Sequence, residues 1–464
     1  MANRWKGNFV VATAATSSGT AYTGKANGAW GLNSQLQQKQ GGLWAKGVSV
    51  PSAPTIGTAT AGTNSASIAF TPSDIIGSAG TLTYTMTSSP DNIQGTGTTS
   101  PITVNGLTNG TSYTFTAIAT NSLGFNSVSS SPSNSVTPAI MSFVALGTSV
   151  SPFINAYSWS DGFGTKYANP STLPPNAVRS INTTNSFDAV AVTHGASPFI
   201  SAYSWSGGFG AKYSNPSVLP GDFGWGVSFS KDSTKIGVAT DGSPNIQIYP
   251  WSSSGFGVKF ANPSTLPEGA SSGITFYNND TAVAISMYTA PSIAAYAFNE
   301  GFGSKYSNPV SLPADSGYSV SFNPAGTALA LSTWNTPYLQ VYNWSNGFGS
   351  KYGNPSTLPS AGGTSCLFSP NGNYLALGHD LSPFISVYNW INGTGFGSKV
   401  ANPAILPGEL GTSVSFNSAG TLLGVAYQAS GAMNIYNWSS GFGSKYANPS
   451  TAPSGNGFAI KLAF

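Results

Sequence analysis

Short runs in which apolar and polar residues alternate fill most of this chain, and clusters of Gly, Pro, Asn and Ser interrupt them at regular intervals. Successive side chains on a strand point to opposite faces, so alternation with period two predicts half-buried β-strands. Between Gly411 and Pro453 the pattern predicts four of them. Val414 and Phe416 mark the first, and Ser418-Ala419-Gly420 turns the chain. Leu422 to Tyr427 forms an apolar second strand; Met433 to Trp438 forms a third, with Ile435 on one face and Tyr436 on the other. Gly441-Phe442-Gly443 turns again, and Ser444 to Ala447 starts an outer strand ended by Asn448-Pro449. Proline suits that edge, where its missing N–H breaks no internal ladder.

The unit recurs. Its best-kept stretch starts at Tyr157, Tyr203, Tyr249, Tyr296, Tyr342, Tyr388 and Tyr436, seven copies spaced 46 to 48 residues, each reading close to YNWSNGFGSKYGNPSTLP. A period of this length with four strands per unit predicts an all-β chain whose residues 141–464 form a seven-bladed β-propeller. Copies two to seven each have a strand shortly after the preceding Leu-Pro, whereas the first begins directly at Met141 to Leu146. An unclaimed strand with Ile460 and Leu462 lies at the other end of the array. Residues 457–464 are therefore expected to insert as the innermost strand of the first blade, joining the ends of the array and removing exposed edges.

Leu367-Phe368-Ser369-Pro370-Asn371-Gly372, continuing to Leu375-Ala376, resembles WD40-like propellers. No copy has the Gly-His and Trp-Asp pairs of true WD40 repeats, so the resemblance implies a fold and no partner. Residues 51–140 are a different unit. Pro51-Ser52-Ala53-Pro54, the strands Ala66 to Phe70 and Leu82 to Met86, and the run Val104 to Ala119 resemble a fibronectin type III domain. Leu107-Thr108-Asn109-Gly110-Thr111-Ser112-Tyr113 is the most specific piece, and the resemblance implies that the Tyr113 hydroxyl bonds back to the chain. Phe70 stands where that family usually has Trp. Such domains are usually spacers or adhesive modules.

Residues 1–50 carry little apolar periodicity beyond a short capped helix predicted over 33–40 and ended by Gly41-Gly42. Trp5, Phe9, Trp30, Leu36, Leu43 and Trp44 are more large apolar groups than such a segment can bury, which suggests a docking arm that orders on a partner. Gly28 to Asn33 and Gln40 to Trp44 are similar to N-terminal segments of virion structural proteins from tailed phages of marine cyanobacteria. That resemblance implies attachment to other virion proteins through the arm.

Composition narrows the function. Only 6% of residues are charged, against 40% hydrophobic and 12% aromatic, so the chain should fold and keep a neutral polar surface. The net charge is +3, with Arg4, Lys6, Lys25, Lys39 and Lys46 unopposed in the arm. From residue 141 onward eleven basic residues balance eleven acidic ones, which argues against nucleic-acid binding there. Cys366 is the single cysteine; it falls where other copies have Val or Ile and is expected in the core. No apolar run reaches the roughly 18 residues of a membrane span. Phe9 to Ala15, after Arg4 and Lys6, makes a poor signal peptide, so the chain is expected to be made in the cytoplasm and to act in the virion.

Catalysis needs converging titratable groups. His194 and His379 fall in the second and sixth copies, too far apart in a ring to share a metal or substrate, and local structural roles are expected. The acids occupy unrelated positions, so no carboxylate pair for glycoside hydrolysis stands out. Lys166, Lys212, Lys259, Lys305, Lys351, Lys399 and Lys445 share one position, and their stems should cover neighbouring aromatics. Tyr342 and Trp344 exemplify paired aromatics on one strand face, expected in the core.

Residues that build every blade recur in every blade, so function is sought where copies differ. That singles out Asp222 to Trp225, Tyr288 to Pro291, Trp334 to Tyr338, His379 to Leu381 and the Thr394 insertion, with Trp225, Tyr288, Trp334, Tyr338 and His379 as ligand-contact candidates. Neither a cofactor nor a metal is expected. The combined expectation is a non-enzymatic virion structural or adhesion protein that contacts host-surface glycan or protein. Alternatives are a bacterial surface or secreted adhesion protein and, more remotely, a carbohydrate-processing propeller enzyme.

Overall fold

A computed structural model describes residues 50–62, 65–73, 81–138, 142–429 and 431–464. The docking-arm residues Trp5, Phe9, Trp30, Leu36, Leu43 and Trp44, and the helix expected over 33–40, lie outside them. The described residues contain strands and no helix. The chain divides into two compact units at residues 140 and 141.

The first unit is a β-sandwich. One sheet pairs Thr55–Ala61 with Ser65–Thr71 and that strand with Ile102–Asn105; the other places Thr83–Ser89 between Gln94–Gly97 and Thr114–Thr120. Inward residues of both, including Ile68, Phe70, Tyr84, Met86, Val104 and Phe115, form one core. Tyr113 is fully buried. Its hydroxyl donates to Asp91 Oδ2 at 2.7 Å and accepts the Thr108 N–H at 3.1 Å, tying the bend back to the chain five residues earlier. Beyond the last strand, Ser127, Ser130 and Ser133 take up the free edge. Their hydroxyls accept the N–H groups of Ala119, Ala117 and Phe115 at 2.9 to 3.0 Å, so a Ser-rich segment without strand alternation still satisfies the sheet.

Among the described residues the second unit holds seven four-stranded antiparallel sheets. Their first strands are Gly457–Ala463, Val178–Thr183, Gly224–Phe229, Ser271–Phe276, Gly317–Phe322, Gly363–Phe368 and Gly411–Phe416, and the sheets are numbered one to seven in that order. Each first strand contacts the next, and that of sheet seven contacts that of sheet one, so the array is a ring, a β-propeller fold. Sheet one takes Gly457–Ala463 from the far end of the sequence and pairs it with Phe143–Thr148.

The repeated motif builds the seams. The seven tyrosines that open it are fully buried. Two residues on, Trp (Phe298 in sheet four) meets the Phe of the Gly-Phe-Gly segment edge-on, with ring centroids 5.1 to 5.4 Å apart in all seven sheets. That Phe is therefore a strand residue, as in Phe442–Lys445, and not the centre of a turn. The pairing explains why: Phe442 stands opposite Trp438 in register. The residue after each lysine, aromatic in six sheets and Val400 in sheet six, packs against the next sheet, as Tyr167 does on Trp205 and Tyr306 on Trp344. Lysine heads turn to the Asn-Pro step: Lys259, Lys305, Lys399 and Lys445 donate to Asn262, Asn308, Asn402 and Asn448 at 2.5 to 2.9 Å, and Lys212 donates to Asn215. Five of the seven lysines are thus local clips, while Lys351 donates to Gln340 Oε1 at 3.3 Å. The loop after Asn-Pro supplies carbonyls to the next sheet, where the hydroxyls of Tyr157, Tyr249 and Tyr436 donate to Thr451, Val218 and Ile405 at 2.7 to 3.0 Å.

Candidate functional site

The first strands of the sheets vary most at their second residue. In sheets one to seven it is Phe458, Arg179, Trp225, Ser272, Tyr318, Thr364 and Thr412. Three of these have a scaffold role. The hydroxyls of Ser272, Thr364 and Thr412 each donate to the first carbonyl of the next sheet, at Gly317, Gly411 and Gly457, with Ser272 at 2.6 Å and Thr412 at 2.8 Å. The other four sheets give up that link for a large side chain. Function is more readily sought in the position where the ring departs from its own rule than in the motif it repeats.

Those large side chains form an arc at one end of the ring. The Arg179 guanidinium lies 4.2 Å from the Phe458 ring centre and 5.4 Å from those of Phe223 and Trp225. Phe223 and Trp225 stack at 4.5 Å; Trp225 meets Tyr288 edge-on at 5.8 Å, Tyr288 meets Tyr318 at 5.3 Å, and Tyr318 leans on Trp334 at 5.6 Å. Trp334 is 40% exposed, while Arg179, Trp225, Tyr288, Tyr318 and Phe458 are half-buried. Room for the rings comes from missing side chains. A Cβ on Gly195 would fall 2.2 Å from the Phe223 ring, and one on Gly362 2.7 Å from that of Trp334.

Polar groups punctuate the arc. Trp225 Nε1 donates to Asp241 Oδ1 at 2.7 Å. Burial raises the Asp241 carboxyl above the ordinary carboxylate range, the Trp225 hydrogen bond opposes this, and the neighbouring Asp222 adds to it. Arg179 Nε is buried without a hydrogen-bond partner, and no carboxylate among the described residues pairs with the guanidinium. Burial lowers its pKa and the nearby Tyr288 raises it; the Tyr288 hydroxyl itself is pushed well above the usual phenol value by burial. The arrangement offers ring faces and edges beside one cation and one carboxylate. Such a surface can stack against the apolar face of a sugar ring and hydrogen-bond its hydroxyls.

The sequence-derived candidates divide. Trp225, Tyr288 and Trp334 come together in the arc, though Trp225 belongs to a strand and not a loop. Tyr338 does not join it by a ring contact. It has φ +68° in the hairpin between the second and third strands, where Phe153, Phe199, Asn245, Ser292 and Phe384 adopt φ +64° to +65°. Its place is a recurring backbone position, with its N–H bonded to Asn335 O at 2.9 Å. His379 ends the strand Tyr374–His379, is fully buried, and joins Ser386 Oγ through Nε2 at 2.9 Å. His194 is its counterpart in sheet two, bonded to Ala196 O at 2.8 Å and Ser201 Oγ at 3.0 Å. Burial depresses both imidazoles to about 4. Phe223 falls within the segment Asp222 to Trp225 singled out by sequence, whereas Arg179, Tyr318 and Phe458 lie inside first strands, where only an alignment of those strands distinguishes them.

Among the described residues no group of three or more His, Cys, Asp or Glu side chains is placed to hold a metal ion. Nor, among them, is any helix long and apolar enough to cross a membrane.

A ring of small antiparallel sheets with a non-repeating aromatic arc defines the class: an all-β propeller with one differentiated end. No family model matches the chain, and no curated protein does either. Solved structures share the fold. A candidate 6-phosphogluconolactonase from Bacteroides fragilis is similar with a TM-score of 0.54 at 12% identity, over 69% of this chain and 97% of its own. A second, from Bacteroides uniformis, gives 0.51 at 13% over 69% and 99%. A functionally unknown protein from Desulfotomaculum acetoxidans gives 0.51 at 14% over 69% and 98%. At such identities the likeness is one of fold alone.

Proposed function

We propose that this chain is a non-enzymatic adhesion component of a phage particle, a seven-bladed propeller that contacts host-surface glycan through the arc from Phe458 to Trp334. The observation that carries the binding half is the arc itself, where four sheets exchange a recurring backbone link or small residue for Phe458, Arg179, Trp225 and Tyr318. The virion half rests on the similarity of residues 28–44 to phage structural proteins. In this reading Trp5, Phe9, Trp30, Leu36, Leu43 and Trp44 dock the arm on other virion proteins, and the fibronectin type III-like unit is a spacer.

The full chain on an array of neutral and acidic glycans should give hits that the Trp225→Ala/Tyr318→Ala double variant loses. Hits shared by both would overturn the arc as the site, and an array with none would overturn glycan contact. Purified particles should contain the chain by mass spectrometry; its presence only in bacterial culture supernatant would favour a bacterial adhesion protein. The fold likeness to candidate lactonases favours one further reading, an enzyme. Incubation with 6-phosphogluconolactone should give no hydrolysis above the spontaneous rate, and turnover abolished by Arg179→Met would reverse the assignment.

A further inference from the structure

The opposite end of the ring holds a second departure from the repeat. The fifth residue of the first strand is neutral in six sheets, where it is Asn182, Ser228, Thr275, Ser321, Leu367 or Ser415; in sheet one it is Lys461. The hydroxyls of Ser228, Thr275, Ser321 and Ser415 settle on the carbonyl of the next residue at 3.1 to 3.5 Å. Lys461 has no such partner and no ion pair among the described residues. It lines a central cavity of about 400 Å³ to which all seven sheets contribute, and whose lining includes no carboxylate. Lys231, an exposed residue just beyond the first strand of sheet three, also lines the cavity, and Asn182, whose Oδ1 accepts the Thr183 N–H at 2.9 Å, keeps its Nδ2 donors without a partner among the described residues.

A neutral residue satisfies the scaffold at this position six times. The half-buried ammonium of Lys461 has no anionic partner among the described residues, and such a charge favours an anion beside it. We propose that this cavity is an oxyanion site, in which a phosphate-type anion is held by Lys461 with the Asn182 amide and Lys231. Charge-assisted hydrogen bonds from ammonium and amide groups are the ordinary chemistry of such a site. Burial also lowers the Lys461 pKa, a penalty that a bound anion would relieve. Lys461 sits on the strand that closes the ring, paired with Ala145, so the anion would also tie that strand to its neighbours.

The test uses the full chain and inorganic phosphate. Thermal unfolding in phosphate and in chloride at equal ionic strength should differ by several degrees for the natural protein and not for Lys461→Met; Lys461→Arg should keep most of the effect. Phosphorus NMR should show line broadening on adding the natural protein, with at least tenfold weaker binding to Lys461→Met. If Lys461→Met fails to fold, Asn182→Ala, expected to weaken binding severalfold, replaces it in both measurements. Equal phosphate shifts in natural and variant proteins, or an unbroadened phosphorus line, would overturn the site. Acetate at the same concentration should stabilise less; an equal effect would overturn the phosphate-type assignment.

Discussion

Tyr446 meets Trp159 edge-on with ring centroids 4.9 Å apart, and its hydroxyl lies 3.1 Å from Asp161 Oδ1. The two rings are nearly the whole propeller apart in sequence, yet their contact is the wedge that joins Tyr167 to Trp205 and Tyr352 to Trp390 at the internal seams. Phe464 stacks on the same Trp159 at 5.7 Å. The closing seam is therefore built with the same parts as the others, except that the first strand of its sheet, Gly457–Ala463 beside Phe143–Thr148, comes from the far end of the sequence.

Removal of that strand should be far more damaging than loss of the wedge. Trp159→Ala is expected to cost about 3 to 5 kcal/mol, as for a large aromatic taken from a core. Deletion of residues 455–464 leaves Phe143–Thr148 as a free edge and opens the interface of sheets one and seven, where Ile460 and Leu462 pack on Leu422 and Met433. The deletion should lose the cooperative thermal transition or aggregate. Unfolding at the parent temperature would mean that the ring does not depend on this strand.

Affinity and stability should separate along the ring. Trp225→Ala removes a half-buried ring and its bond to Asp241, and should weaken binding of any glycan hit at least tenfold, about 1.4 kcal/mol. Thr412→Ala removes a scaffold link and should lower stability by about 1 kcal/mol without touching affinity. Titration of both variants with one glycan, beside their denaturant midpoints, checks the crossing pattern. Equal loss of affinity in the two would place binding outside the arc.

The two histidines predict a pH dependence of definite sign. Each is buried neutral with a folded pKa of about 4, below the ordinary 6.5, so the unfolded chain binds protons more readily. Their contribution is full above about pH 6.5 and is lost as pH falls towards 4, by roughly 2 to 3 kcal/mol for each. Urea midpoints measured from pH 7 to pH 4 should fall more for the natural protein than for His194→Gln/His379→Gln. Parallel curves would show that the imidazoles titrate normally.

How much of this could be read in the sequence differs between scaffold and site for physical reasons. The recurring Tyr, Trp, Lys and Asn-Pro positions announce themselves because each seam needs the same packing, and their spacing leaves Ile460 and Leu462 as an unpaired remainder. The Phe of Gly-Phe-Gly looked like turn chemistry, since its flanking glycines dominate local propensity; only its register opposite Trp438 makes it a strand residue. Arg179 and Tyr318 were hidden inside strands, one substitution in an otherwise constant frame. Tyr338 had the reverse fault: conspicuous in type, but in a left-handed position that every neighbouring hairpin repeats. Function at a ring's end depends on which residues adjacent sheets bring together, and spacing along one copy carries no record of that.

Cys366 supplies a reporter for ring closure. Its thiol is 3% exposed in the first strand of sheet six, donates to Ser319 O at 3.3 Å, and is pushed up to about 12 by burial. A thiol so placed is inert because the thiolate, the reactive form, is scarce and covered. The folded protein should therefore take up no thiol reagent at pH 8 over hours and one equivalent at once in denaturant. Cys366 packs with Phe368, Leu375 and Val341, in a cluster separate from the seam that holds Trp159 and Ile460. If the ring unfolds as one cooperative unit, Trp159→Ala should accelerate labelling at Cys366 by the same factor as it accelerates global unfolding. Labelling at the parent rate in a variant that opens its own seam would show that the sheets unfold piecemeal and that closure stabilises only its neighbours.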